Sequence, residues 1–305
     1  MEYSETQEKR NGMIIDLAQL SPVDKQNWLQ HIVAPRPIAL ASTIDAAGHV
    51  NLSPFSFFNL FSSNPPIVIF SPARRVRDNS TKHTLENVKE VPEVVIHLVT
   101  QEIVQQQSLA SCEYGKEVNE FVKSGFTQEK ATRVRPPMIK EAKVKMECRV
   151  NEIKPLGTEG GAGNLVICEV LCIHIDESLL DANGKPDQRK ILPVARLGGN
   201  WYTGVTEASL FEVEKPNVKL GMGFDALPPS IRNSAVLTGN QLAQLANTNT
   251  MPDIDPAFED AHVKQIVQYY SLNPEEMEGE LHKHAAALLQ QNKVNEAWQV
   301  LLAGG

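Results

Sequence analysis

The chain has little of what several common function classes require. Its four cysteines, Cys112, Cys148, Cys168 and Cys172, form no CxxC pair and have no His-rich companion motif. No metal site is expected from them. Cys168 and Cys172 share parity in a predicted strand, which puts them on one face as reduced core thiols. His282 and His284 are two residues apart on a predicted helix and point to different sides, so they form no ligand pair. No apolar run is long enough to span a membrane. The opening residues, MEYSETQEKRNG, are polar and charged and lack the apolar segment of a secretory signal. A cytoplasmic protein without membrane contact is the expectation. Basic runs are also missing: 29 Lys and Arg stand against 37 Asp and Glu, a net charge of −8. Nucleic-acid backbones need a basic face, so nucleic acid is not expected as a partner. There is no G-x-S-x-G nucleophile elbow. The stretch GTEGGAGN, residues 157–164, lacks the G-x-G-x-x-G spacing and is followed by a strand.

What remains is an ordinary composition, 42% hydrophobic and 22% charged over 305 residues. That is enough to bury a full core and argues against global disorder. Residues 1–20 read as a loose arm. Ser21-Pro22-Val23-Asp24 starts a helix that runs to about His31. Ile38 to Ile44 and Val50 to Pro54 flank the turn at Gly48 as a β-hairpin. Ile67 to Phe70 and Val94 to Val99 are buried-type strands. Thr81 to Lys89 is helical, with Asn79-Ser80-Thr81 as its cap, and Ile103 to Ala110 is helical too. Val144 to Ile153 and Leu165 to Ile175 form a long hairpin through the glycine-rich loop. Ile191 to Arg196 is a further strand. Many strands without βαβ alternation predict an antiparallel barrel with helical decorations.

One stretch, Arg36 to Asn87, concentrates the chemistry. Ser71, Arg74, Arg75, Arg77, Lys82 and Thr84 supply cations and hydroxyls beside a helix start, where amide groups favour an anion. Ser53-Pro54-Phe55-Ser56-Phe57-Phe58-Asn59 alternates small polar and aromatic groups. A flat, phosphorylated cofactor needs such a polar pocket for its phosphate and an apolar wall for its ring. The plainer alternative is that the phenylalanines are core and Arg74-Arg75-Val76-Arg77 is a solvated turn.

The order of these pieces resembles the flavin reductase-like FMN-binding split-barrel family, which includes flavoredoxin-type proteins and short-chain flavin reductases. RPIALAST, the turn at Gly48, NLSPFSFFN, NPPIVIFS and KHTLENV occur in sequence. Gly125-Phe126-Thr127, Arg135-Pro136-Pro137, Glu147-Cys148, Asp176 to Asp187 and Arg196-Leu197-Gly198-Gly199 with Tyr202 follow. The resemblance covers roughly residues 15–215. It implies an antiparallel Greek-key split β-barrel, a homodimer, and FMN near the subunit interface. Carried over, Ser42 and Thr43 sit beside the ring system, and Ser53, Pro54, Phe55 and Ser56 line it. Ser71, Lys82 and Thr84 hold the phosphate, with Arg77 a weaker candidate, and Arg196 and Tyr202 close the pocket. His83 stands where the family commonly has Asp, and it cannot replace a fixed carboxylate. The implied reaction is hydride transfer from NADH or NADPH to flavin N5, then electron transfer to a small acceptor or an oxygenase partner. The alternatives are an FMN electron carrier or sensor without turnover, and a partner-binding scaffold.

The split-barrel domain is expected to cover 21–215, and 216–305 to form a helical C-terminal extension. In that extension Gln241 to Ala246, Phe258 to Tyr270, Glu275 to Gln290 and Val294 to Leu302 read as helices. Val263, Ile266, Val267, Tyr270, Leu288, Leu289, Trp298 and Leu301 form its predicted apolar face. That face docks on the barrel or a dimer mate, or recruits a partner.

Overall fold

The computed structural model describes residues 12–214 and 220–304. Most of the expected N-terminal arm lies outside them. The chain divides into two units, one ending at Leu210 and the next beginning at Phe211.

In the first unit, helix α1 (Pro22–Ile32) starts where the Ser-Pro signature puts it. The Ser21 hydroxyl accepts the Asp24 N–H at 3.1 Å. Strands β1 (Arg36–Pro37), β2 (Ala39–Ile44) and β3 (Val50–Phe55) follow, the last two as the expected hairpin. A second hairpin, β4 (Phe58–Ser63) and β5 (Pro66–Phe70), goes beyond the expectation, because the phenylalanines of 55–61 hide a turn. Next come α2 (His83–Glu90), β6 (Glu93–Leu98), α3 (Val104–Leu109) and α4 (Glu120–Ser124). Short β7 (Gln128–Glu129) and β8 (Met138–Ile139) precede the long hairpin of β9 (Val144–Pro155) and β10 (Asn164–Ile175). Helix α5 (Gln188–Ile191) precedes β11 (Val194–Arg196) and β12 (Tyr202–Gly204). The strand expected from Ile191 is thus three residues shorter, because α5 ends in Leu192 at a left-handed φ of 39°.

The main sheet has the antiparallel order β3-β2-β6-β9-β10-β5-β4, and β1, β11 and β12 form a second sheet. Every residue of β2 from Ala39 to Thr43 is buried, because helices or loops cover both of its faces. On one face Ala39, Ala41, Phe55, Phe70, Val94 and Cys148 pack against Leu85 and Val88 of α2. On the other, Leu40 and Leu52 pack against Ile103, Val104 and Phe121.

The segment 131–139 lies along this second face. It donates its amides to two buried acceptors. Ile139 N–H donates to His97 Nε2 at 2.8 Å, while His97 Nδ1–H donates to the Leu40 carbonyl at 2.8 Å. Burial holds the His97 pKa down at about 4, so the ring is neutral. Glu147 Oε2 accepts from the Arg133 and Val134 amides, and its Oε1 from the Thr132 amide and hydroxyl. Burial opposes the Glu147 charge, but these donors and His174 outweigh it and hold the carboxyl at about 2.

The expected common face of Cys168 and Cys172 is not found. The β9–β10 register shifts between Val170 and Cys172. The extra residue of this β-bulge turns the rest of β10 over. Cys168 stays in the core against Val68 and Cys148, whereas Cys172 pairs with Glu147 on the opposite face.

The second unit is helical: α6 (Pro229–Arg232), α7 (Gly239–Ala246), α8 (Ala261–Tyr269), α9 (Pro274–Gln290) and α10 (Val294–Leu302). Thr238 and Gln241 form a reciprocal capping box on α7. Of the predicted apolar face, Val263, Ile266, Leu289, Trp298 and Leu301 are buried, and Tyr270 and Leu288 pack partly against them. Val267 is instead 37% exposed. No helix among the described residues is long and apolar enough to cross a membrane.

Candidate functional site

The residues of β3 alternate between faces, so Asn51, Ser53 and Phe55 share one side. Helix α2 crosses that side. Asn51 Nδ2 donates to Thr84 Oγ1 at 3.1 Å, and Asn87 Nδ2 donates to Thr43 Oγ1 at 3.2 Å. These two bonds fix the start of α2 over the hairpin. The helix begins at His83, two residues later than the expected Thr81. Lys82 is its N-cap residue, and no side chain caps it. The Thr81 hydroxyl donates instead to Glu86 at 2.7 Å. The first turn of α2 thus has no side-chain acceptor for its amides, and its residues His83 and Thr84 border the cavity described next.

The loop before α2 is shaped by its own arginines. Arg74 donates to the side chain and carbonyl of Asn79, both at 2.6 Å, which holds Asn79 at a φ of 56°. Arg75 donates to Ser80 Oγ at 2.9 Å and to the Thr81 carbonyl at 2.7 Å. The glycine-rich loop presses on this turn from the other side. Arg74 N–H donates to Ala162 and Gly161 N–H to Arg74, at 2.8 and 2.9 Å. A Cβ on Gly160 would stand 3.0 Å from backbone atoms of Arg75 and Val76, and one on Gly163 would stand 2.6 Å from Ser71 Oγ. The GTEGGAGN stretch is thus a hairpin turn, as expected, and also the backing of the cationic loop.

Asn51, Ser53, Arg75, Lys82, Thr84 and Glu113 are among the residues enclosing a small cavity at this end of the sheet, and His83 lines it too. Its volume is about 20 Å³, room for about one water molecule. The carboxylate of Glu113 holds the cations together. It accepts from Arg75 Nε at 3.1 Å, pairs with Arg77, and lies 4.0 Å from Lys82 Nζ. The Arg75 hydrogen bond is the main force keeping the Glu113 carboxyl below its ordinary range. Burial and then the Arg75 charge push the Lys82 ammonium down. Glu120 closes the floor, accepting the Leu52 N–H at 3.0 Å, and burial raises its pKa.

The other sequence candidates lie as follows. Ser42 and Thr43 are neighbours in one strand, so their side chains take opposite faces. Thr43 joins the Asn87 bond, while Ser42 Oγ is buried without a partner. Ser71 Oγ is likewise buried and unpartnered, beside Gly163. Phe55 turns inward and packs on Phe70 with ring centroids 5.3 Å apart, and Pro54 beside it is half-buried. Ser56 accepts from Arg36 Nε at 3.5 Å. Arg36 also donates to the carbonyls of Gln30, Val33 and Leu197, tying the end of α1 to the β11–β12 turn. Arg196 stacks over Tyr202, 4.5 Å from its ring centroid. This pair sits on the second sheet and does not line the cavity at Lys82. Arg77 is exposed and bound to Asp78 and Glu113.

These residues fit a phosphate-bearing ligand in their chemistry. Two cations, an uncapped helix start and an unpartnered buried hydroxyl lie within one loop and helix. A larger open groove of about 1010 Å³ lies in the helical unit, lined by residues such as Leu220, Phe224, Asn240 and Asn247. Size alone favours it, but among the described residues its lining includes no Lys, Arg, His or Cys, so the smaller cavity is the better candidate.

Residues 32–189 match the flavin reductase like domain. The chain belongs to that family. Among relatives, a protein of Aquifex aeolicus is 37% identical over 171 residues, covering 56% of this chain and 85% of that protein. Bacillus subtilis YwrF is 32% identical over 197 residues, covering 64% and 95%. Among solved structures, nitrilotriacetate monooxygenase component B from Bacillus cereus aligns with a TM-score of 0.62 at 27% identity. It is matched over its whole length by 67% of this chain. A protein with a split barrel domain from Shewanella frigidimarina aligns with a TM-score of 0.57 at 25% identity, over 67% of this chain and its whole length. The flavin reductase-like domain therefore has the split-barrel fold that its strand order implied, and this chain carries helices in addition.

Asn51, Glu113 and Glu120 line the cavity and are absent from the sequence candidates, while Arg75 is among the cations without an assigned contact. Asn51 was open to inference, since it shares a strand face with Ser53. Glu113 had no local signal.

Proposed function

We propose that this protein is an FMN-dependent oxidoreductase that takes electrons from NADH or NADPH. The observation that carries the proposal is the convergence of Lys82, Arg75, Thr84 and Ser53 on one cavity at an uncapped helix start, in a chain of the flavin reductase-like family. Lys82, Arg75 and the first-turn amides of α2 would hold the phosphate. Thr84, held by its hydrogen bond from Asn51, would add its hydroxyl. Ser71, whose hydroxyl has no protein partner, would add a hydrogen bond. The backbone of Ser53 to Ser56 would border the ring, with Phe55 holding it against the core. Arg196 and Tyr202 would border the nicotinamide side. Bound FMN would supply the two-electron chemistry, accepting hydride at N5 and passing electrons onward. Such a reaction asks the protein for orientation and little acid–base help.

The second acceptor is proposed to be a small molecule or an oxygenase component. The likeness to component B of a monooxygenase supports the latter. A homodimer is proposed because Phe57, Leu60 and Phe61 at the β4 edge are exposed. A cytoplasmic setting agrees with four free thiols. Residues 21–215 are proposed as the barrel domain and 216–305 as the helical extension.

The test is to mix the purified chain with FMN, desalt it, record the visible spectrum, and add NADH or NADPH without oxygen. Retained flavin that bleaches with a pyridine nucleotide supports the proposal. Retained flavin that does not bleach points to a carrier fed by another donor. No flavin binding in a fluorescence titration, together with no flavin-dependent oxidation of NADH or NADPH, overturns it.

A further inference from the structure

The sheet face opposite Thr43, Asn51 and Ser53 carries a second cluster that the proposed reaction does not use. It arises from the β-bulge in β10. Beyond that bulge Cys172 pairs with Glu147 of β9, and His174 follows two residues later on the same face. His174 Nε2 is 2.6 Å from Glu147 Oε1, and Cys172 Sγ is 3.9 Å from His174 Nε2. A sulfur, a nitrogen and an oxygen ligand atom all lie within 4.8 Å of one another.

We propose that Glu147, Cys172 and His174 form a binding site for one borderline-soft divalent cation, with zinc the best match. The donor set decides the class. Thiolate and imidazole favour zinc or cobalt over calcium or magnesium, which take oxygen ligands. Spacing agrees: ligand atoms about 2.0–2.3 Å from a tetrahedral zinc stand roughly 3–4 Å apart. Cys172 and His174 already meet that separation, and the His174–Glu147 pair needs to open by under about 1 Å. The cation takes the place of the Nε2 proton that faces Glu147. The neutral His174 ring then carries its single proton on Nδ1, and the Cys172 thiol releases one proton to solvent as it ligates. The fourth position falls to water or to Thr132 Oγ1, which lies 3.9 Å from Cys172 Sγ.

The surroundings are those of a supported ligand set. Glu147 is fully buried, and the amides of Thr132, Arg133 and Val134 fix its orientation. Such outer bonds preset a metal carboxylate. Cys172 and His174 are partly exposed, so an ion can reach them. No local spacing marks this site, because its ligands meet across two strands and through a bulge. Bound metal would clamp the 131–139 segment to β10.

The competing reading is an ion pair between His174 and Glu147 with an idle thiol. Titration of the full-length chain, stripped with EDTA and kept reduced, with cobalt(II) separates the two. The proposal expects intense visible bands of a tetrahedral site, a near-ultraviolet thiolate-to-cobalt band, and displacement of both by zinc. Cys172→Ser should abolish the thiolate band, and His174→Gln should weaken cobalt binding at least about tenfold. Zinc should also raise the melting temperature of the wild type and not of Cys172→Ser, which keeps the side-chain size. Cobalt binding of equal affinity in the wild type and both variants, cobalt binding without a thiolate band, or no binding would overturn it.

Discussion

Arg75 directs its Nε at the carboxylate of Glu113, 3.1 Å away, across 38 positions of sequence. Glu113 thereby occupies part of the charge that an incoming phosphate would use. Glu113→Gln should tighten FMN binding, by roughly three- to tenfold for so exposed a group. Riboflavin, which has no phosphate, should bind the variant and the wild type alike. Flavin fluorescence quenching measures both. Weaker FMN binding by the variant would mean that Glu113 orients the arginines instead of competing for them.

Lys82→Ala removes the half-buried ammonium at the head of α2. FMN affinity should fall by about tenfold or more, since charge-assisted bonds to phosphate are the strong ones. Riboflavin affinity should not move. Equilibrium dialysis with the two flavins checks this.

Ser71 offers a cleaner separation of stability from binding. Its hydroxyl has no partner, so Ser71→Ala breaks no bond in the free protein. Thermal stability should be unchanged or higher by up to about 1 kcal/mol. FMN binding should nevertheless weaken. A large loss of melting temperature would show a structural role.

His97 makes stability depend on pH. Its folded pKa, about 4, lies below the ordinary value of 6.5. The unfolded chain therefore binds the extra proton first. The stabilisation is complete above about pH 6.5 and is lost as pH falls toward 4, by roughly 3 kcal/mol in all. Protonation of Nε2 would also remove the acceptor for Ile139. Urea denaturation at a series of pH values should show this slope, and His97→Gln should flatten it.

Trp298 is fully buried in the helical unit. Trp298→Ala should cost that unit about 3–5 kcal/mol. Amide exchange in α9 and α10 should accelerate accordingly.

Local signals were readable in the sequence, and long-range ones were not. Ser21 marked α1, and the helices of the second unit followed their apolar periodicity. A short polar motif and a strand face name Lys82, Thr84 and Ser53, and all three line the cavity at the start of α2. The split barrel followed from the order of weak motifs. Three features escaped. The Arg75–Glu113 pair joins distant segments, and nothing near Glu113 announces it. The bulge in β10 is one extra residue without a glycine or proline, yet it reverses the face of Cys172. Ser42 and Thr43, adjacent and chemically alike, divide between two faces because a strand alternates.

The backing of the cationic loop is made of main chain at Gly160 and Gly163, where no side chain would fit unmoved. Thr158 and Glu159 in the same turn are exposed. Proteins descended from a common ancestor with this one can therefore vary freely at those two positions while retaining the neighbouring glycines. A turn that looks like low-information linker would then change in an uneven pattern, fixed and drifting positions side by side. That unevenness would record where two loops touch.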